Sequence, residues 1–323
     1  MNVRPMKNKP SLCCIGILSL CLLIPTLLFG ADASRSLRLA LLPVPDVLPV
    51  YVAEERGYFK ELDISVESLP VGSAVERDQL MQAGRIDGMI NEISGAASFN
   101  RERNRVKVVA IARSPIGGAP LFRLLAAPGS KLTTVADLAD IPIGISKNTV
   151  IEYITTRLLE AGGVPPEAIR YQSVPVLPER LQLLLAGQLM AVTLPDPLGA
   201  SAIKAGAVEL VNDTTRESVS ASVITFTVDA LVNKKETVMK FMTAWDKACA
   251  DINRDPASFQ QLMLKKIRVP RNIQDDFGVP PMPRKTLPTK AQWDDVMAWM
   301  LEKKLLTRPV AYEDSVTADF LAQ

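Results

Sequence analysis

The chain has 323 residues, 48% of them apolar, with 37 basic against 35 acidic side chains and no histidine. Without histidine no Ser-His-Asp triad, imidazole acid-base step or His-ligated metal can operate, which removes large classes of enzyme. A formal charge of +2 is far from the basic excess that nucleic acid or an anionic membrane attracts, so neither is expected as the main partner.

At the amino end Arg4, Lys7 and Lys9 precede an uncharged run over 12–29, and Ala31-Asp32-Ala33 follows. A basic segment, an apolar segment and an A-x-A site together predict a secretory signal peptide, residues 1–33, cleaved after Ala33. Two other readings stay open. The run is near the lower length for a membrane span and would serve as a retained anchor. Cys21, preceded by Leu18-Ser19-Leu20, is where a lipoprotein signal would be cut, although Leu20 is bulky for that role. Removing 1–33 takes away Arg4, Lys7, Lys9 and Asp32 and brings the formal charge of the rest to zero. It also takes Cys13, Cys14 and Cys21, so that Cys249 remains alone, expected as a small buried apolar side chain with no disulfide partner. The remaining ~290 residues suffice for two lobes of ordinary domain size.

The mature part opens with a predicted buried strand over 37–44, a turn at Pro45-Asp46 with Asp46 as a candidate N-cap, and an amphipathic helix over 48–59 that Gly57 interrupts. A strand over 64–69 leads through Gly72-Ser73 into a helix ending near Gly84. Another strand follows over 87–90, then a helix opened by residues 91–95, then a strongly β-prone strand over 106–112. The Pro- and Gly-rich segment 114–120 breaks the pattern, and 121–127 reads as one more strand. A second series has a strand over 141–145, a helix over 150–161 stopped by Gly162-Gly163, an extended piece over 169–174, a helix over 179–186 and a strand over 190–194. Strands alternating with helices at this spacing predict doubly wound, mostly parallel α/β sheets. A β-branched run over 222–228 is expected to return the chain to the first lobe. The remainder is predicted helical, with a capping box at Thr289–Gln292, and Trp245, Trp293 and Trp299 are assigned to packing on the first lobe. The predicted division is a first lobe from 34–126 and 222–323, and a second lobe from 127–221.

Several of these pieces carry a family resemblance. Gly57-Tyr58-Phe59, Gly72-Ser73 and Gly84-Arg85-Ile86-Asp87 stand in that order, followed by VADLADIPIGIS, LLAGQLMAV and Asp196-Pro197, to about Ala207. The chain resembles the periplasmic solute-binding proteins of ABC transporters for nitrate, sulfonate, taurine and thiamine precursors, which have the type II periplasmic binding fold. The resemblance implies a monomeric, periplasmic receptor that is not an enzyme, needs no cofactor, closes two lobes on a small organic solute and delivers it to an ABC permease. Fungal-type pyrimidine synthases share the fold but need an active-site histidine, which this chain lacks. A chorismate dehydratase-like enzyme and a ligand-sensing module remain as alternatives.

If both lobes are doubly wound, ligand sits where loops leave the carboxyl ends of the strands. That rule selects Asp46, Leu48, Gly72, Ser73, Ala74, Glu92 and Ser94 from the first lobe, and Ser146, Asn148, Thr149, Asp196 and Pro197 from the second. Ser114 and Ser222 fall near the crossovers. Asp46, Ser73, Ser94, Ser146 and Asp196 also read as plain helix caps. Three acidic residues, Asp46, Glu92 and Asp196, against Lys147 and Arg113 tilt the expected solute toward one carrying an amine or ring-nitrogen donor; a sulfonate or nitrate would instead use helix N-termini, hydroxyls and Lys147.

Overall fold

The computed structural model describes residues 33–216 and 219–322. The leader expected over residues 1–33 lies outside them except for Ala33. Among the described residues no helix is long and apolar enough to cross a membrane.

The first lobe begins with β1 (Ser36–Leu41), α1 (Leu48–Glu55), the single turn α2 (Tyr58–Glu61), β2 (Ser65–Pro70), α3 (Ala74–Gln82), β3 (Gly88–Glu92), α4 (Ile93–Asn100) and β4 (Val106–Arg113). Gly57, with φ +75°, is the residue that breaks the predicted helix into α1 and α2, a conformation glycine adopts without steric penalty. The second lobe holds β5 (Phe122–Ala126), β6 (Pro142–Ile145), α5 (Val150–Ala161), β7 (Arg170–Ser173), α6 (Leu177–Leu185), β8 (Ala191–Pro195), α7 (Leu198–Lys204) and β9 (Val208–Asn212). The chain then returns through β10 (Ser222–Thr227), α8 (Val228–Asn233), α9 (Lys235–Arg254), α10 (Gln260–Lys266), α11 (Lys290–Glu302) and α12 (Tyr312–Ser315).

The described residues form two five-stranded sheets, ordered β2-β1-β3-β10-β4 and β7-β6-β8-β5-β9. Strands β1, β2 and β3 run parallel and β10 is antiparallel to both β3 and β4. In the second sheet β6, β7 and β8 are parallel, and β5 is antiparallel to both β8 and β9. Period-2 alternation divides each sheet between two cores. Leu39 and Leu41 enter the cluster closed by α1, α9 and α10, while Ala40 faces the one closed by α3, α4 and α11. In β5, Leu125 and Leu124 separate in the same way beneath α6 and α5. The result is two three-layer α/β lobes with helices on both faces of each sheet.

The C-terminal helices pack on the first lobe. Along α9, Val238, Phe241, Met242, Trp245, Cys249 and Ile252 are buried on one helical face, and Phe241 stacks on Phe59 and meets Phe226 edge-on. The capping box at Thr289 and Gln292 is present. Trp293 and Trp299 join the core against α4, with the Trp293 indole N–H donating to the Val310 carbonyl at 2.8 Å.

Two features differ from the sequence reading. The strand read over 121–127 pairs with β8 and β9, so the first passage between lobes precedes residue 122 instead of following 126; hydrophobicity alone does not say which sheet an apolar strand joins. Strand β9 was not expected. It is an edge strand with no fully buried residue, and the short mixed sequence Val208–Asn212 lacks the alternation that marks a half-buried strand.

Candidate functional site

The strand registers determine which edges of the sheets meet. Ser222, where β10 begins, lies opposite Glu92 and Arg113, the last residues of β3 and β4. Phe122, where β5 begins, lies opposite Pro195, the last residue of β8, and Asn212, where β9 ends, lies opposite Arg123. Both crossovers, from β4 to β5 and from β9 to β10, therefore connect the carboxyl edge of one sheet to the carboxyl edge of the other. Passages this short hold the two edges close together, with β2 and β7 on the sides away from the crossovers.

On the first lobe's edge Asp46 is buried in the turn after β1. Its carboxylate accepts the Ser222 hydroxyl at 2.5 Å and faces the Arg113 guanidinium at 3.7 Å. It does not cap α1, whose N-cap position is Val47 with no side-chain bond. Glu92 meets Arg77 at 3.3 Å, and Arg77, itself buried, also donates to the Ile90 carbonyl. Ser73 caps α3 by accepting the Glu76 N–H, while the Glu76 carboxylate accepts the Gly72 N–H at 2.7 Å. Ala74 is exposed beside them, and Ser94 and Ser114 are half-buried. Leu48 is 0% exposed within the first-lobe core; its side chain packs on α1's neighbours and is withheld from any solute.

On the second lobe's edge Ser146 directly follows β6. Its oxygen accepts from Arg180 at 2.5 Å, and its hydroxyl makes a long 3.4 Å contact with the Pro175 carbonyl. Asn148 is exposed with φ +62°, and Thr149 caps α5 by accepting the Ile151 N–H. Asp196 is buried and forked by Arg123 at 2.8 and 2.9 Å, and it also accepts the Ala200 N–H at the start of α7. Pro197 is buried beside it. The cap reading thus fits Ser73 and Asp196, together with Thr149, and does not fit Asp46, Ser94 or Ser146.

Four arginines organise these loops: Arg77, Arg113, Arg123 and Arg180. Three of them pair with the carboxylates Glu92, Asp46 and Asp196 in turn, Arg77 being shared with Asp78 and Arg123 with Glu209. That weakens the charge argument for a solute with an amine or ring-nitrogen donor, because a carboxylate already held by a guanidinium is a poorer partner for a second donor. Arg180 is the exception. It is 0% exposed, donates to the Val174 and Thr193 carbonyls and to Ser146, and pairs with no carboxylate among the described residues. Burial without a counter-charge brings it down to about 10. The sequence carried a signal for it: in LPERLQLLL, Arg180 is spaced with Leu177, Leu181 and Leu184 on the apolar stripe of α6.

The crossovers grip each other. Asp213, wholly buried, accepts the Leu121 N–H at 3.0 Å and the Phe122 N–H at 3.2 Å, and Arg113 donates to the Pro120 carbonyl at 2.9 Å. Burial raises Asp213 to about 6 against the opposing pull of its hydrogen bonds and Arg113. An acid raised in the folded state binds its proton more tightly there than in the unfolded chain. Stability is therefore fullest below the unfolded value near 4 and falls as pH rises to about 6, by roughly 2–3 kcal/mol. Denaturation of the Asp213→Asn variant between pH 4 and 7 is expected to show a flatter profile than the parent; parallel profiles would contradict this. Among the described residues no group of acidic or sulfur side chains is arranged to hold a metal.

A two-lobed α/β chain with paired carboxyl edges can be set beside known proteins. The family model described as NMT1/THI5 like matches residues 44–258. The chain belongs to the NMT1/THI5-like family. No curated protein matches it. Among solved structures, this NMT1/THI5-like chain is similar to the periplasmic aliphatic sulphonate binding protein SsuA from Escherichia coli, at 14% identity over 90% of this chain and 94% of that one, TM-score 0.73. It is similar to the alkanesulfonate-binding protein SsuA from Xanthomonas axonopodis pv. citri bound to MOPS, at 18% identity over 88% and 98%, TM-score 0.70. It is also similar to the periplasmic nitrate-binding protein NrtA from Synechocystis PCC 6803, at 13% identity over 88% and 87%, TM-score 0.67. At these identities the likeness is one of fold, the periplasmic binding protein architecture.

Proposed function

We propose that this NMT1/THI5-like protein is the exported solute-binding component of an ABC importer, and that it takes a small organic solute with an acceptor or anionic head group between the two carboxyl edges. Asp46, Gly72, Ser73, Ala74, Glu92, Ser94, Ser114 and Ser222 line the first side, and Ser146, Asn148, Thr149, Asp196 and Pro197 the second. Closure on solute is a population shift: a molecule touching both lobes favours the closed form by its contacts there, and the permease reads that form. The protein acts as a monomer in the periplasm and turns nothing over. In support, no histidine is present for acid-base work, and the relatives in fold are mostly transport binding proteins.

One observation carries the head-group assignment: the buried, carboxylate-free Arg180 holds the Ser146 oxygen. An oxygen already accepting from a guanidinium has its own proton to give, and the long contact to Pro175 is easily exchanged for a solute acceptor. The start of α5, capped at Thr149, adds the positive end of a helix dipole, and Lys147 adds a cation. Nearby Glu152 does not cancel this, because Lys303 pairs with it at 2.6 Å.

Thermal-shift measurement of the purified protein against sulfonates, carboxylates, amines, pyrimidines and vitamins tests the reading. A true solute at ~100 times its dissociation constant stabilises the fold by about 2.7 kcal/mol. Mass analysis of the incubated solute is expected to find it unchanged. Hits confined to cationic amines, or conversion of the bound molecule, would overturn the assignment.

A further inference from the structure

Helix α5 belongs to the second lobe but is fastened to the first. Tyr153 donates its hydroxyl to Asp295 of α11 at 2.7 Å, and Arg157 forks the same carboxylate at 3.0 and 2.9 Å. The Tyr153 ring meets Trp299 edge-on with centroids 5.6 Å apart, and Tyr153, Ile154 and Leu158 share an apolar cluster with Trp293, Met297, Ala96 and Met89. The two sheets are thus joined by the crossovers and, separately, through α5 and α11.

At the N-terminal end of α5 this contact reaches the solute loop. Glu152 is 1% exposed. One of its oxygens accepts the Asn148 N–H at 2.6 Å, and the other meets the ammonium of Lys303, at the C-cap of α11, at 2.6 Å. Asn148 is left-handed, with φ +62°, a conformation that asparagine adopts more readily than other residues with a side chain. The chain of contacts therefore runs from a helix on the first lobe, through a buried carboxylate, to the backbone of the left-handed residue between Ser146 and Thr149.

We propose that Glu152 and Lys303 form an interlobe tether that positions the loop 146–149: the first lobe, through α11, sets the conformation of a binding loop on the second. Lys303 does not touch solute; it is a positioning residue, and it couples the shape of the site to the seating of the lobes. Held by Lys303, Glu152 fixes the Asn148 amide and keeps Ser146 and Thr149 facing the opposite edge. When the lobes shift at the α5–α11 contact, the ion pair stretches and the loop is released. The functional meaning rests on the assignment of 146–149 to the solute site, whereas the tether itself is a statement about the ligand-free protein.

Amide hydrogen exchange of the full chain without solute tests it. The Lys303→Met variant keeps the apolar stem and removes the charge, and exchange over 146–152 is expected to rise about tenfold or more while β10 and α9 are unchanged. Lys303→Arg restores the protection, because a guanidinium can reach the same carboxylate. The double variant Lys303→Met with Glu152→Gln recovers part of it, since the amide oxygen still accepts the Asn148 N–H. Unchanged exchange over 146–152 in Lys303→Met overturns the tether, and so does a rise spread equally over the whole lobe, which would mean general loosening. No solute enters this measurement, so an empty solute screen counts against the proposed function alone.

Discussion

Replacing Arg180 by methionine is expected to lower the unfolding free energy by about 3 kcal/mol. Methionine fills similar apolar volume but donates nothing, so the Val174 and Thr193 carbonyls and the Ser146 oxygen each lose a charged donor. Orphaned buried acceptors cost roughly 2 kcal/mol each, about 6 in all. Against this, a guanidinium buried without a counter-charge, down to about 10, costs the native state roughly 3 kcal/mol that methionine would recover. The acceptors win. Urea denaturation measures the difference as a lower midpoint at constant slope. Lysine is not expected to substitute, because one ammonium cannot span acceptors arranged for a planar fork. A midpoint unchanged or raised would mean that the fold holds Arg180 at a net cost.

The second large effect is expected from Asp196→Ala. Asp196 lies beneath the crossover: its N–H donates to the Leu121 carbonyl, and its carboxylate holds Arg123 by two bonds and the Ala200 N–H by a third. Removing one partner of a buried pair leaves the other desolvated, at about 3–5 kcal/mol. Arg123 retains Glu209, which places the expected loss near the lower figure. Asp196→Asn keeps one acceptor and is expected to fall between alanine and the parent. As a comparison, Asp276→Ala breaks the exposed pair with Lys204 at 2.7 Å and is expected to leave the melting point nearly unchanged. If the Asp196 and Asp276 variants melted alike, the buried pair would contribute no more than a surface one.

Both effects arise from side chains whose partners are distant in sequence. Asp46 and Ser222 are 176 positions apart, and Arg123 and Asp196 are 73 apart. Reading the loops alone counts three carboxylates and tilts toward a solute with an amine or ring-nitrogen donor; folding brings an arginine to each and leaves Arg180 with no carboxylate partner among the described residues. The same distance explains the strand 122–126. Its composition announces a buried strand, and only the pairing with β8 and β9 assigns it to the second lobe.

Local pattern accounts for the alternation of strands and helices, the breaks at Gly57 and Gly162, the caps at Ser73 and Thr289, and the helical C-terminal part. Each depends on residues within a few positions, where backbone preference, capping and apolar periodicity act directly. Composition also determined, through absent histidine, what chemistry is closed to the chain. The folded chain alone shows which sheet each strand joins, that both crossovers connect carboxyl edges, which carboxylates meet an arginine and how α11 reaches Glu152. These depend on long-range closure of the chain, where burial selects among partners that no local pattern distinguishes.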